Sequence, residues 1–291
     1  MIVGIHGKKF KREDKDFLKT VFDLFSKKAS KLLFSPAYLK SLLKTGILPD
    51  EHGVLDSRSQ LQGLDVMITL GGDGTLLEAV ALLEGLPVPV WGINLGRMGF
   101  LATTARETVE TTLQILLDRK FEIEERTMLS IVEPHHIYGE KNFGLNDFTI
   151  LKKDTSSMIL VHAYIDDTFL NSYWADGIIV STPTGSTGYS LSCGGPMVLP
   201  GSRNFVITPV SPHNLTARPM VVPDDSKIHF RVEARSKQYL TSLDSRFVAV
   251  PVDMEFTLMK SEYTARLIKV EGDNYFKTIR QKLNWGVDYR N

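Results

Sequence analysis

The sequence has a single cysteine, Cys193, in 291 residues, so it cannot form an internal disulfide. A chain with one thiol is typical of the reducing cytoplasm, which is the expected location. Basic and acidic residues number 34 each, which gives a formal net charge of zero. Without a broad basic field, neither nucleic acid nor a membrane is an expected partner. No apolar run reaches membrane-spanning length, and the first residues do not resemble a signal peptide.

Motifs of several enzyme classes are also missing. The absence of G-x-x-x-x-G-K-[ST] excludes a P-loop nucleotide site. Residues 94–99 begin with asparagine where the dinucleotide-binding fingerprint has its first glycine, which disfavours a dehydrogenase. The chain has no G-x-S-x-G motif of a serine hydrolase. His135 and His136 have no accompanying cysteine or carboxylate pattern, so exposed loop histidines are favoured and no metal ligand is assigned.

The first part of the chain alternates short apolar runs with helical patterns. Strands are expected at 2–5, 32–34, 66–70 and 88–93, and residues 47–63 are expected to form a loop. Thr104 and Glu107 have the spacing of a capping box at the start of a helix. The order strand, turn, helix, strand is typical of a parallel sheet. We therefore predict an α/β domain with a parallel sheet over residues 1–122.

After Phe121 the pattern changes to short β-type runs. Residues 159–165 are apolar enough for a strand covered on both faces. Further strands are expected at 178–182, 204–210, 227–234, 239–243, 247–250, 254–259 and 266–270. This spacing predicts a mostly antiparallel β-rich domain over 123–270. Phe276, Ile279 and Leu283 have helical spacing and predict a helical tail over 271–291 that packs back on the first domain.

Residues 177–196 form the most distinctive stretch of the sequence. A β-branched run, 178–180, is followed by seven hydroxyl side chains interleaved with glycines up to position 195. Hydroxyls and backbone N–H groups at a strand end can bind a ligand rich in phosphate and ribose oxygens. A flexible Gly/Ser linker is disfavoured because Pro183, Tyr189, Leu191 and Pro196 interrupt the run.

Residues 71–75, Gly-Gly-Asp-Gly-Thr, join a buried strand to an apolar helix and predict a phosphate site at the helix N-terminus. Asp73 could coordinate Mg²⁺ or accept a proton, or it could support a tight turn. Arg97 could contact a phosphate or be a simple exposed arginine. Asn146-Asp147 and Asp176-Gly177 could grip a ribose diol or form turns. Tyr189 could stack on a ring or belong to the core.

Together these motifs resemble the NAD kinase family. The matching segments are 71–75, 94–101, 146–147, 176–196 and 215–219, Leu-Thr-Ala-Arg-Pro, and they occur in the family's order over most of the chain. The Gly-Gly-Asp-Gly-Thr turn alone is only moderately specific, since diacylglycerol-type lipid kinases and phosphofructokinases carry similar turns. Its combination with 182–190, Thr-Pro-Thr-Gly-Ser-Thr-Gly-Tyr-Ser, is highly specific.

The resemblance implies transfer of the γ-phosphate of ATP to the 2′-hydroxyl of the adenosine ribose of NAD, with Mg²⁺ or another divalent metal. It also implies a cleft between an α/β and a β-rich domain, in a homodimer or homotetramer. It assigns catalysis to Asp73. The resemblance assigns binding of the ATP phosphates to Gly71, Gly72, Gly74, Thr75 and Arg97. It assigns NAD to Asp73, Gly74, Asn146, Asp147, Ser157, Trp174, Asp176, Thr184, Thr187, Gly188, Tyr189, Ser190, Leu191, Ser192 and Arg246.

Three positions depart from the family pattern. Asp147 replaces a glutamate, Gly188 replaces an alanine, and Asp244-Ser245-Arg246 stands where Asp-Gly-Gln is common. These changes bear on the expected contacts of Asp147 and Arg246 and on affinity more than on the reaction. The alternatives are a diacylglycerol-type lipid kinase with a hydrophobic channel and a non-catalytic dinucleotide sensor. A dehydrogenase is a weaker alternative.

Overall fold

The computed structural model describes residues 1–8, 10–96, 99–153, 157–270 and 274–286. The chain divides into two compact units, one formed by Met1–Glu125 with Arg266–Asn291 and the other by Arg126–Ala265. A compact unit is a geometric grouping, so the domain limits 1–122, 123–270 and 271–291 stay a prediction.

The first unit contains the α/β fold that the sequence predicts. Its strands are β1 (Ile2–Gly7), β2 (Lys31–Phe34), β3 (Gly53–Val54), β4 (Val66–Leu70) and β5 (Val90–Ile93). Its helices are α1 (Lys15–Lys28), α2 (Pro36–Leu42), α3 (Arg58–Gln62), α4 (Asp73–Leu82) and α5 (Val109–Leu117). Short 3-10 helices cover Arg12–Asp14 and Arg106–Thr108. The strands pair in parallel in the order β5-β4-β1-β2-β3.

The sheet of the first unit is buried because helices cover it. The amphipathic helix α1 buries Leu18, Val21 and Phe22, and every residue of β4 is buried. Rings pack closely in this core, as in the edge-to-face pair of Phe22 and Phe34 with centroids 5.2 Å apart. A rigid sheet therefore holds the residues that follow β4.

Two sequence expectations for the first unit are wrong. Residues 47–63 are not all loop, because they contain β3 and α3, and α3 begins with a capping box formed by Ser57 and Gln60. The expected capping box at Thr104 does not form. Its hydroxyl accepts a hydrogen bond from Trp91 Nε1 at 2.7 Å instead, and α5 begins only at Val109.

The second unit is built from antiparallel strands, the first and last of which extend into the first unit. They are β6 (Glu122–Glu133), β7 (Phe143–Gly144), β8 (Asp147–Lys152), β9 (Ile159–Ile165), β10 (Thr168–Ala175), β11 (Gly177–Ser181), β12 (Asn204–Val210), β13 (Met220–Pro223), β14 (Ile228–Glu233), β15 (Gln238–Leu243), β16 (Arg246–Pro251) and β17 (Phe256–Lys269). One turn of α-helix, α6 (Tyr189–Ser192), lies between β11 and β12. One sheet has the order β13-β12-β11-β8-β15-β16, and β10-β9-β14-β17 pair in another. Phe148 of the first sheet packs on Phe256 of the second, with ring centroids 5.0 Å apart.

The structure corrects the strand predictions in two places. Strand β9 is buried on one face only, because Val161 and Ala163 are inside while His162 and Tyr164 are partly exposed. The expected strands 254–259 and 266–270 are one continuous strand, β17, that begins in the second unit and ends in the first. There its Leu267 pairs in parallel with Val90 of β5.

The helical tail is present. Helix α7 (Tyr275–Leu283) starts at Asn274, whose side chain accepts hydrogen bonds from the backbone N–H groups of Phe276 and Lys277. Ile279 is buried, and the helix belongs to the first unit. The predicted fold class is therefore confirmed: a parallel α/β domain, an antiparallel β-rich domain and a C-terminal helix that packs on the first.

Candidate functional site

In the first unit the Gly71-Gly72-Asp73-Gly74-Thr75 turn connects β4 to α4 at the carboxyl edge of the sheet. The N–H of Gly71 donates to the carbonyl of Ile93 on the neighbouring strand at 3.0 Å, which ties the turn to the sheet. A Cβ added at Gly72 would meet no described atom within 4 Å, and one at Gly74 would meet only Lys8 Nζ, at 3.9 Å. With respect to the described residues, the N-terminus of α4 is thus uncovered beside Gly72, and its dipole favours an anion there.

Asp73 is held firmly at this opening. Its Oδ2 accepts the N–H of Phe100 at 2.8 Å, and its Oδ1 accepts those of Leu101 and Ala102 at 3.0 Å each. Gly99 precedes these donors and must be glycine, because an added Cβ would overlap Asp73 Oδ1. A carboxylate oxygen can accept two hydrogen bonds, so within the described residues Oδ2 keeps one acceptor position.

A lysine of the C-terminal helix lies beside this carboxylate. Lys282 Nζ is 4.0 Å from Asp73 Oδ2 and 5.2 Å from the centre of the Phe100 ring. No sequence pattern links position 282 to position 73, so sequence reasoning missed this residue. The predicted phosphate residue Arg97 lies outside the described residues.

In the second unit the hydroxyl-rich stretch follows β11 and folds back on Asn146. A 3-10 helix covers Gly185–Thr187, and α6 follows it directly after Gly188. Thr182 donates its N–H to the carbonyl of Asn146 at 2.9 Å and its hydroxyl to that of Leu145 at 2.6 Å. Gly185 packs so closely that an added Cβ would overlap the Asn146 carbonyl. The stretch is therefore an ordered turn rather than a linker.

Asp244 organises the Asn146-Asp147 pair. Its side chain is only 5% exposed, and its carboxylate accepts the backbone N–H groups of Leu145, Asn146 and Asp147 at 3.0, 2.8 and 3.2 Å. Burial raises the pKa of Asp244, and these donors and Arg246 oppose that rise. Sequence reasoning noted the Asp244-Ser245-Arg246 segment only as a departure from the family pattern and missed this positioning role.

Asp147 is buried close to a second carboxylate, that of Asp244. Its side chain is 7% exposed. Burial and the nearby Asp244 raise its pKa to about 8. A Cβ added at Gly188 would lie 3.7 Å from Asp147 Oδ2 and 3.2 Å from the Gly185 carbonyl. The two departures at 147 and 188 are thus neighbours, and the smaller side chain at each leaves more room than the larger one would.

Tyr189 and Asp176 extend this surface. The ring of Tyr189 is 40% exposed, and its pKa is raised by partial burial, by Cys193, and by the charges of Asp176 and Asp147. Asp176 forms an ion pair with Lys152 at 2.6 Å. Trp174 is half exposed on β10. Asp147, Gly188, Tyr189 and Asp176 therefore share one region of the second unit.

Other predicted NAD residues have protein partners. Ser190 is fully buried and hydrogen-bonds Thr208 at 2.8 Å. Thr184 is buried and accepts from Arg126 at 3.3 Å, while Thr187 Oγ1 donates to the Thr184 carbonyl at 3.2 Å.

Arg246 donates to the carbonyls of Lys141, Phe143 and Leu243. Leu191 is partly buried and Ser192 is exposed on α6. Ser157 precedes β9, and no hydrogen bond within the described part of the chain links it to this region.

The described residues offer no resident metal site. They contain no group of three or more His, Cys, Asp or Glu that could hold a metal ion. His135 and His136 are both exposed, and His136 faces Glu140 at 3.4 Å. In the described ranges, no helix is long and apolar enough to cross a membrane.

These features define a class of protein: a two-unit nucleotide-binding protein with a glycine turn suited to phosphate and a hydroxyl-rich turn suited to a dinucleotide. Comparison with known proteins narrows this class. Residues 7–121 match the model of the ATP-NAD kinase N-terminal domain, and residues 145–270 match that of the ATP-NAD kinase C-terminal domain.

Relatives and solved structures match over the full chain. An NAD kinase of Cytophaga hutchinsonii is 44% identical and one of Flavobacterium johnsoniae 41% identical, each over 100% of both chains. The structure of an NAD kinase from Archaeoglobus fulgidus in complex with ATP matches at a TM-score of 0.77 and 25% identity, covering 98% of this chain and 99% of that one. The yeast NADH kinase complexed with NADH has the same fold, with a TM-score of 0.86 at 21% identity, covering 100% of this chain and 89% of that one.

The chain belongs to the NAD kinase family. Its enzymatic class is that of an NAD kinase, a phosphotransferase, as the sequence motifs predict. The comparisons do not favour a lipid kinase or a non-catalytic sensor.

Proposed function

We propose that the protein transfers the γ-phosphate of ATP to the 2′-hydroxyl of the adenosine ribose of NAD, giving NADP. The observation that carries this proposal is Asp73, which three backbone N–H groups fix at the open N-terminus of α4. Phosphoryl transfer depends mainly on positioning and on neutralisation of charge, without a covalent nucleophile. A glycine turn and one oriented carboxylate are suited to this chemistry.

Each unit supplies one part of the reaction in this proposal. In the first unit, Gly71, Gly72, Gly74 and Thr75 hold the donor phosphates, and Asp73 Oδ2 accepts the proton of the attacking 2′-hydroxyl. The acceptor position left on Oδ2 supports that choice. A divalent metal ion, Mg²⁺ or another, would be held together with ATP beside Asp73 and would supply neutralisation of phosphate charge.

In the second unit, Asn146, Asp147, Gly188, Tyr189 and Asp176 bind NAD. A raised pKa of about 8 keeps Asp147 largely protonated at neutral pH, so it can donate a hydrogen bond to a ribose oxygen. Trp174, Ser157, Thr184, Thr187, Ser190, Leu191, Ser192 and Arg246 complete the set that the family resemblance implies. The buried members act through the turn that they stabilise.

The proposal includes a cytoplasmic homo-oligomer. The single cysteine, Cys193, supports a reducing compartment. The family resemblance supports a homodimer or homotetramer, which light scattering of the purified protein would measure.

The test is an assay with ATP, Mg²⁺ and NAD, coupled to an NADP-specific dehydrogenase. Asp73→Asn removes the proton acceptor, and we expect a loss of turnover of roughly a hundredfold or more, with NAD binding retained. Asp65→Asn is the matched control, because Asp65 also accepts a backbone N–H, that of Ile2 at 2.6 Å, but away from the turn. It should keep wild-type turnover.

Three other outcomes of these assays would contradict parts of the proposed function. Near-normal turnover of Asp73→Asn removes Asp73 from catalysis. A folded wild type that binds NAD but forms no NADP indicates a sensor. Phosphorylation of lipid in vesicles, with no NAD binding, indicates a lipid kinase.

A further inference from the structure

We propose that Lys8 contacts the donor phosphates of ATP, and that Glu78 and His6 position it for this role. The inference rests on the proposed function of the glycine turn and adds to it a substrate-contacting cation. The chain has no P-loop lysine, so a lysine that contacts the donor phosphates has to come from elsewhere in the sequence.

The sheet places Lys8 beside the turn. Strands β1 and β4 pair in parallel, with Gly7 opposite Leu70. The residue that follows β1 therefore lies next to the turn that follows β4. Lys8 Nζ is 3.9 Å from the position that a Cβ on Gly74 would occupy, at the first turn of α4. Its side chain is about half exposed, with a relative accessibility of 51%. It is thus both close to the open helix end and accessible to a ligand.

Glu78 holds the lysine at this place. It lies one helical turn after Gly74 on α4, and its Oε1 is 2.8 Å from Lys8 Nζ. The ammonium group has three donors and one of them meets Glu78, so it can also donate to a phosphate. An exposed ion pair of this kind contributes little to stability, which makes a role in folding a poor explanation for it.

A buried histidine, His6, lies next to the Glu78 carboxylate. His6 is 8% exposed, and its Nδ1 is 2.8 Å from Ser35 Oγ. Its Nε2 lies 3.5 Å from Glu78 Oε2, and it has no hydrogen-bond partner of good geometry among the described residues. Burial lowers the pKa of His6, which keeps the ring neutral and leaves Lys8 as the cation that Glu78 pairs with. A buried polar atom that faces the glutamate without a hydrogen bond is costly, and such a cost is typical of functional sites.

The distribution of charge around the glycine turn also favours a phosphate contact for Lys8. Helix α4 carries two carboxylates, Asp73 at its first position and Glu78 one turn after Gly74, and a triphosphate adds further negative charge. Among the described residues, Lys8 and Lys282 are the lysines within 4.0 Å of these two carboxylates. Of these two lysines, Lys282 is placed at Asp73 and Lys8 is placed at Gly74.

The experiment measures binding of AMP-PNP with Mg²⁺, and of adenosine, to the full chain by calorimetry. Lys8→Met should weaken AMP-PNP binding about tenfold or more, because a charge-assisted hydrogen bond is lost, and should leave adenosine binding unchanged. Lys8→Arg should restore most of the loss. Lys19→Met is the matched control, since Lys19 is 55% exposed and pairs with Asp23 at 2.7 Å on α1. It should behave as wild type.

Steady-state kinetics give a second readout. Lys8→Met should raise the KM for ATP with the KM for NAD unchanged, while the thermal midpoint stays at the wild-type value. If wild type prefers AMP-PNP over adenosine and Lys8→Met keeps that preference, the role of Lys8 is refuted and the proposed function stands. If wild type binds AMP-PNP no more tightly than adenosine, the phosphate site of the proposed function is refuted together with it.

Discussion

Replacing Asp147 with asparagine should change how the stability of the protein depends on pH. Burial and the neighbouring Asp244 raise the pKa of Asp147 from an ordinary value near 3.8 to about 8. Between these two values the folded state holds a proton that the unfolded state has released. The free energy of unfolding must therefore fall as the pH rises through this window. An asparagine side chain cannot titrate, so the Asp147→Asn protein lacks this contribution.

The size of this pH dependence follows from the titration of a single proton. A group that is protonated in the folded state and ionised in the unfolded state changes the free energy of unfolding by about 1.4 kcal/mol per pH unit. The difference in stability between Asp147→Asn and wild type should therefore grow by up to about that amount per unit, from about pH 5 to near pH 8. The variant should be the more stable protein at the alkaline end.

Urea unfolding of the full chain, followed by near-UV circular dichroism, measures this difference at each pH. Asp225→Asn is the control, because Asp225 is an exposed carboxylate of the same unit. Its difference from wild type should not vary with pH. A constant difference for Asp147→Asn across the same range would refute the reasoning, since it would mean that Asp147 is ionised in the folded protein.

Two further substitutions separate positioning from binding. Asp244→Asn leaves at least one of the three backbone N–H donors in 145–147 without an acceptor. The KM for NAD should therefore rise while the KM for ATP stays unchanged. Equal changes in the two KM values would contradict this positioning role. Arg246→Lys removes the guanidinium group that donates to three backbone carbonyls. The thermal midpoint should therefore fall by several degrees, with little change in the KM for NAD. A selective rise in the KM for NAD at constant stability would instead support a direct contact between Arg246 and NAD.

The sequence predicts the glycine turn well because its determinants are local. Strand β4 is a short apolar run, the glycines follow at once, and α4 is apolar nearly all round. Parallel pairing then requires the turn to lie at the carboxyl edge of the sheet. The hydroxyl-rich turn is predictable for the same reason, since a buried strand leads directly into it.

The parts that the sequence does not predict depend on contacts between distant positions. Asp244 and the N–H groups that it binds are 97 to 99 residues apart. Lys8 and Glu78 meet only because β1 and β4 are neighbours in the sheet. Thr104 has the spacing of a helix cap, but Trp91, thirteen residues earlier, takes its hydroxyl as an acceptor. Local patterns carry no information on such partners.

The first unit is assembled from two stretches of chain that are separated by the whole of the second unit. During synthesis, the contiguous residues 126–265 leave the ribosome before Leu267 can pair with Val90 and before α7 exists. Lys282, the neighbour of Asp73, is made only after the whole of the second unit. A nascent chain that has not reached position 282 therefore has its glycine turn without this lysine.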